Sequence, residues 1–166
     1  MTTQLSILNL TVAPDTGVYF SKLTSQMSLT NVKNQICVVM PFPTGSDLGF
    51  ETVFTIPQNY SSSPVLVMKG VIDGTPANTF AIGAQLLQVA ASSTIDAAYE
   101  TEDLASNGTW TGYADEEVYS LSITLTPSTS LTAGNLLFIK FYRDDSVDTT
   151  TWDFLLLDLL FQYTEA

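Results

Sequence analysis

From Tyr119 to Thr126 the chain alternates without a break: Tyr119, Leu121, Ile123 and Leu125 are apolar, and Ser120, Ser122, Thr124 and Thr126 between them are small and polar. A pleated strand sends successive side chains to opposite faces, so this pattern sorts into one buried and one solvated side only if the segment is extended. The same period returns after the turn-forming Ala133-Gly134-Asn135, where Leu137, Ile139 and Phe141 share one face. Phe138, Lys140 and Tyr142 take the other, which predicts a strand with an amphipathic outer side. The last run predicts Leu155, Leu157, Leu159, Phe161 and Tyr163 inward, with Leu156, Asp158, Leu160 and Gln162 outward.

Earlier strands are predicted at Ile36 to Met40, Phe50 to Ile56, Val65 to Ile72 and Thr79 to Val89, each bounded by Pro, Gly, Asn, Asp or Ser. Pro57 to Pro64 reads as a turn joining two antiparallel strands, because Pro fixes φ and Asn and Ser offer local hydrogen bonds. Between Thr94 and Gly112 the alternation fades. Asp96-Ala-Ala-Tyr-Glu suits a short helical turn there, Asn107-Gly108 is a turn signal, and the whole stretch is expected to be a long excursion loop. About eight short strands at this spacing predict an all-β, antiparallel β-sandwich of jelly-roll type. A chain of 166 residues suits one domain, with residues 36–166 forming the sandwich. Residues 1–35 are more polar and less regular, and are expected to be an N-terminal arm or a first strand pair.

The acidic and basic counts are 17 and 5, for a net charge of −12, with no histidine. Lys22, Lys33, Lys69, Lys140 and Arg143 are scattered, so no basic patch is available to displace counterions from nucleic acid. The same field opposes an anionic bilayer, and no stretch approaches the roughly 20 apolar residues of a membrane-spanning helix. Cys37 is the single cysteine and lies in an apolar run, which excludes an intrachain disulfide and suits a buried small hydrophobe. The N-terminal MTTQLSILNLTV has no positive region before its apolar residues, so a cleaved secretion signal is not expected.

Without histidine the usual general base, the usual partner of a nucleophilic Ser or Cys and the commonest transition-metal ligand are all missing. Paired carboxylates would still serve glycoside hydrolysis. Glu100, Glu102 and Asp103, then Asp115, Glu116 and Glu117, then Asp144, Asp145 and Asp148 are the clusters, all in predicted loops where solvated turn acids account for them more simply. Asp144-Asp145-Ser-Val-Asp148 also invites a calcium reading, but it lacks the EF-hand spacing. No glycine pattern matches a phosphate or dinucleotide loop, and no cofactor or metal is expected. Trp110, Tyr113, Trp152 and Tyr60 lie near predicted loops and suit sugar stacking, or core and subunit contacts.

From about Phe50 onward the chain resembles a family of phage virion proteins. The resemblance rests on FTIPQNY, VLVMKG, FAIGAQLLQV and above all LTAGNLLFIKFYRDDSVDTTTWDFLLLDLLFQY, with its Gly-containing turn, its strand ending in Tyr-Arg-Asp and its acidic, Thr-rich loop before a final apolar strand. The chain departs from that pattern at Trp152-Asp153, where a Gly usually precedes the final strand. The resemblance implies a jelly-roll capsid decoration, or cement, protein of a tailed bacteriophage. It would be a non-enzymatic homotrimer made in the host cytoplasm, seated on the outer capsid surface and bound to the major capsid protein. In that setting Leu5, Ile7, Leu8 and Leu10 are expected to grip the capsid, and Arg143 beside Asp144 and Asp145 is expected to fix its loop as an exposed ion pair in preference to contacting a neighbouring subunit. A fibre, spike or baseplate module that binds host-surface glycans is the alternative.

Overall fold

In a computed structural model, described for residues 1–7, 28–32, 35–42, 49–73, 79–95, 97–107, 117–144 and 146–166, the alternating segments form strands. They are β1 (Thr2–Ser6), β2 (Ser28–Val32), β3 (Gln35–Phe42), β4 (Gly49–Thr55), β5 (Tyr60–Asp73), β6 (Phe80–Val89), β7 (Asp103–Asn107), β8 (Val118–Thr124), β9 (Leu136–Arg143) and β10 (Asp153–Glu165). Among the described residues there is no helix.

The pairing nests first with last. β3 meets β10 (Phe42 opposite Phe154), β4 meets β9 (Phe50 opposite Phe141), β5 meets β8 (Leu66 opposite Ile123) and β6 meets β7 (Ile82 opposite Ala105), all antiparallel. That is one long hairpin. Folding it over adds β5 to the free edge of β10 and β6 to the free edge of β9, giving two sheets ordered β3-β10-β5-β8 and β4-β9-β6-β7. Every connection from β3 to β10 except β6 to β7 crosses between sheets, which is the jelly-roll arrangement of two Greek keys. The Pro57 turn therefore crosses between layers and does not close a hairpin, because β4 and β5 lie in different sheets. Its Tyr60 N–H donates to Pro57 O at 3.0 Å, so the strand restarts earlier than Pro64.

Two further strands extend the first sheet. β2 pairs outside β3, while β1 lies on the same edge of β10 as β3 but further along, from Thr2 opposite Thr164 to Ser6 opposite Leu160. The N-terminal strand thus begins at Thr2, ahead of the Ser6 to Val12 piece, whose residues from Leu8 on lie outside the described residues, as does Val18 to Leu23.

Between the sheets sit Leu66, Met68, Ile123, Phe154, Leu156, Leu159 and Phe161 from one side and Phe80, Ile82, Leu86, Leu137, Ile139 and Phe141 from the other, all but sealed from solvent. Each such side chain contributes about 1.5–3 kcal/mol of transfer free energy. On β10 the inward set differs from the expected one. Leu156 is opposite Gly70 and Asp158 is opposite Lys69, so Leu157 is an extra residue, a β-bulge. The bulge exchanges faces for the residues before it: Phe154 and Leu156 point inward, Leu155 does not, and Leu159, Phe161 and Tyr163 keep their predicted side.

The expected excursion loop is shorter than its sequence suggests. Asp103–Asn107 forms β7 against β6, and the stretch just before it is extended, with Glu100 N–H donating to Leu86 O at 2.8 Å. No helical turn forms among the described residues there, because the edge of β6 offers this backbone a sheet partner.

Candidate functional site

The outward face of the β4-β9-β6 sheet carries the side chains left over when its other face enters the core. Register sets them in rows across the strands. Val53, Phe138 and Leu87 form one row, Glu51, Lys140 and Gln85 the next, and Gly49, Tyr142 and Gly83 the third. Thr55, Leu136 and Val89 make a fourth row beyond the first. Same-face neighbours along a strand stand about 7 Å apart, so an apolar row with a central aromatic ring lies beside a row of hydrogen-bonding groups. Phe138 is half-buried, and its flanks are open: Val53 is 49% exposed and Leu136 39%.

Two glycines let the third row lie flat. A methyl group on Gly83 would stand 2.8 Å from Tyr142 Cζ and 2.6 Å from Glu102 Oε1, so the Tyr142 ring and the Glu102 carboxylate both rest where a side chain would otherwise be. Lys140 Nζ lies 5.3 Å from the Tyr142 ring centroid, within cation–π range. Lys140 is anchored along this face.

Tyr99 completes it from the far edge. The Glu100 bond to Leu86 places Tyr99 beside β6, and its phenol hydrogen-bonds to Glu51 on β4 at the opposite edge of the sheet. Burial pushes the Tyr99 phenol up to about 12, with the Glu51 charge and hydrogen bond adding to it. The bridge therefore stays protonated across neutral pH. Glu51 is held in place by it, which leaves a fixed carboxylate, an amide (Gln85), an ammonium (Lys140) and two half-buried rings (Tyr99, Phe138) on one firm surface.

The carboxylate clusters singled out in the sequence go elsewhere. Glu100 Oε2 accepts the Ser128 N–H at 2.7 Å and Asp103 Oδ2 accepts the Thr126 N–H at 2.9 Å, so both tie the β8–β9 connection to the sandwich edge. Asp115 and Glu116 lie outside the described residues, and Glu117 is exposed. Arg143 does not form an exposed ion pair. It is fully buried and grips Asp148, while Asp145 is outside the described residues. Asp148 is spent on that pair, and Asp144 Oδ1 accepts the Ser146 N–H and hydroxyl at 3.0 and 2.6 Å. Asp144 Oδ2 is buried without a hydrogen-bond partner, yet among the described residues no three acidic, His or Cys side chains converge as a metal site.

Of the loop aromatics that suit sugar stacking or core and subunit contacts, the two described ones take the core role. Trp152 is a core residue stacked on Phe80 at 5.5 Å, and Tyr60 packs on Phe161 and Tyr163. Trp110 and Tyr113 lie outside the described residues, as do Leu8 and Leu10. Of the four expected capsid contacts, Leu5 is opposite Phe161 on β1 and partly exposed. Ile7 is buried, its N–H on Leu159 O at 2.9 Å and its carbonyl accepting Thr52 Oγ1 at 3.1 Å. Cys37 lies on β3.

No family model matches the chain, and no curated protein matches it. Among solved structures it is similar to the family 11 carbohydrate-binding module from Clostridium thermocellum in complex with a β-1,3-1,4-mixed-linked tetrasaccharide, at 11% identity and a TM-score of 0.43, over 82% of this chain and 81% of that one. It is similar to the Caldicellulosiruptor saccharolyticus module CBM27-1 in complex with mannohexaose, at 10% identity and a TM-score of 0.39, over 96% of each chain. It is likewise similar to a Stig cyclase from Fischerella sp., at 12% identity and a TM-score of 0.43, over 99% of this chain and 86% of that one. Likenesses of this size do not place the chain in a family.

Proposed function

We propose that this chain is a non-catalytic glycan-binding module that holds sugar chains on the outward face of β4, β9 and β6. The carrying observation is the Phe138 row lying beside the Glu51, Lys140 and Gln85 row. A pyranose has an apolar C–H face and a rim of hydroxyls that both donate and accept. It is matched by an aromatic ring with carboxylate, amide and ammonium groups at its edge. The sheet presents these groups from a backbone already fixed by pairing, with β9 and β6 held on both sides and β4 on one. In the setting that the resemblance implies, such a module belongs to a virion fibre, spike or baseplate facing host-surface glycans.

The decoration reading draws less support. It asks the first residues to reach a shell, whereas Ile7 is already committed to the chain's own core. Catalysis also draws less, since Asp103 and Glu100 accept backbone N–H groups as loop ties and Asp148 is locked to Arg143. The test is retardation of the protein in native gels cast with soluble polysaccharides, run beside Phe138→Ala. Binding by the wild type that falls at least about tenfold in the variant is the expected result, in line with the loss of a buried aromatic anchor. Absence of retardation by any polysaccharide, or a Phe138→Ala protein that binds equally well, overturns the proposal.

A further inference from the structure

We infer that the glycan held on this face is electrically neutral, a conclusion that rests on the glycan reading above and narrows it to a substrate class. The face itself presents two carboxylates, Glu51 and Glu102, and among the described residues one cation, Lys140. Lys140 is drawn toward the Tyr142 ring, which takes up part of its field. Glu100 and Asp103 stand at the neighbouring edge of the same sheet, next to the strand that Gln85 belongs to. The whole chain carries a net charge of −12, with no histidine to alter it between pH 5 and 8.

A uronate, sialylated or sulfated chain laid along Phe138 would bring its own negative groups to within a sugar's width of Glu51 and Glu102. Arginine, the residue best shaped to receive a carboxylate or sulfate in two parallel hydrogen bonds, is absent from this surface: Arg143, the chain's single arginine, points inward and is sealed from solvent. The acceptor-rich row suits hydroxyl donors instead. Carboxylate oxygens accept only, so Glu51 and Glu102 are built to receive O–H groups. The carboxylate of Glu51 is further held in one orientation by Tyr99.

The test uses the full chain in affinity electrophoresis and calorimetry against neutral polymers (galactan, galactomannan, mixed-linkage β-glucan, hydroxyethylcellulose) and anionic ones (polygalacturonate, alginate, hyaluronate, carboxymethylcellulose). Each is run at about 0.01 M and about 1 M salt, between which the screening length falls from about 30 Å to about 3 Å. The expected result is binding to at least one neutral polymer with little salt dependence. Anionic polymers should bind at least about tenfold more weakly at low salt, with the gap narrowing as salt rises. The double variant Glu51→Gln/Glu102→Gln should close most of that gap at low salt. Anionic polymers bound as tightly as neutral ones, or more tightly, overturn this inference and leave the glycan reading standing. Binding to none of the eight overturns both.

Discussion

The Arg143 guanidinium meets the Asp148 carboxylate side-on, with Nε 2.9 Å from Oδ2 and Nη2 3.1 Å from Oδ1, and neither side chain is open to solvent. The remaining donors are also used: Nη1 donates to Trp152 O at 3.0 Å and Nη2 to Thr150 Oγ1. Asp148 in turn accepts the N–H groups of Ala81 and Thr150, so the pair pins the β9–β10 connection to the end of β6. Phe80 and Trp152 flank the guanidinium, their centroids 5.6 and 5.9 Å from its central carbon. A charge pair this dry stabilises chiefly while both partners are present. Asp148→Ala is expected to lower unfolding free energy by about 3–5 kcal/mol, because it strands a buried cation. Arg143→Met combined with Asp148→Leu should cost clearly less than Asp148→Ala alone. Urea denaturation of the three proteins checks the order, and a double variant as unstable as the single one would refute it.

Glycine contacts differ in what a methyl group would strike, and that difference predicts unequal costs. At Gly70 an added Cβ would overlap the Phe154 ring and approach the Leu155 carbonyl, one a core side chain and the other backbone. At Gly83 the nearest atoms it would meet are the far end of the Tyr142 ring and the Glu102 carboxylate on the outward face, side-chain ends with no backbone atom among them. Gly70→Ala is therefore expected to destabilise by about 1–3 kcal/mol or more, the range for overpacking a tight core. Gly83→Ala should cost less in stability while weakening glycan binding, since it lifts Tyr142 and Lys140 off the sheet. Thermal melts and the gel assay together separate the two effects.

The alternation in the chain made most of the fold legible. Tyr119 to Leu125 and Leu137 to Phe141 bury the side that their spacing predicts, and Gly134 turns with the positive φ of 84° that its place after Ala133 requires. The amphipathic outer side of β9, with Phe138, Lys140 and Tyr142, was also readable, and it is the spine of the candidate site. Its neighbours were not, because Val53 and Gln85 join it only through register across strands distant in sequence. Tyr99 was hidden for a different reason: its segment lacks alternation and is extended only because β6 offers an edge. Arg143 shares the inward parity of Leu137, Ile139 and Phe141, but a charged residue in Tyr-Arg-Asp looks solvated until its buried partner Asp148 is seen.

Leu157 shows how one residue defeats a parity argument. It is the extra residue between the Leu156–Gly70 and Asp158–Lys69 pairs, and an unbulged strand of the same length would put Phe154 and Leu156 on the opposite side from Leu159. Deleting Leu157 removes that extra residue and leaves Phe154, Leu156, Leu159, Phe161 and Tyr163 at alternate positions, so the same side chains are expected to stay in the core on an unbulged strand. The deletion protein should therefore keep a cooperative thermal transition, as should Leu157→Ala, which keeps the bulge. A deletion protein that has lost that transition would show that the bulge itself is needed to close the sandwich.

Tyr99 and Glu51 make the outward face sensitive to alkali in a direction that their linkage sets. The folded chain holds the Tyr99 proton up to about pH 12, against an ordinary phenol value of 10.0, and burial raises Tyr60 as well. Above about pH 10 an unfolded chain releases protons that the folded one keeps, so the contribution is complete below pH 10 and is lost as pH climbs through 12. Tyr99→Phe is expected to flatten part of the fall in stability over that window and to remove a late-ionising phenol from the ultraviolet absorbance titration. Glu51→Gln should bring the Tyr99 midpoint down only part of the way, because desolvation is the larger cause and the charge the smaller. A midpoint that returns fully to 10.0 in Glu51→Gln would show instead that the Glu51 contact alone sustains the shift.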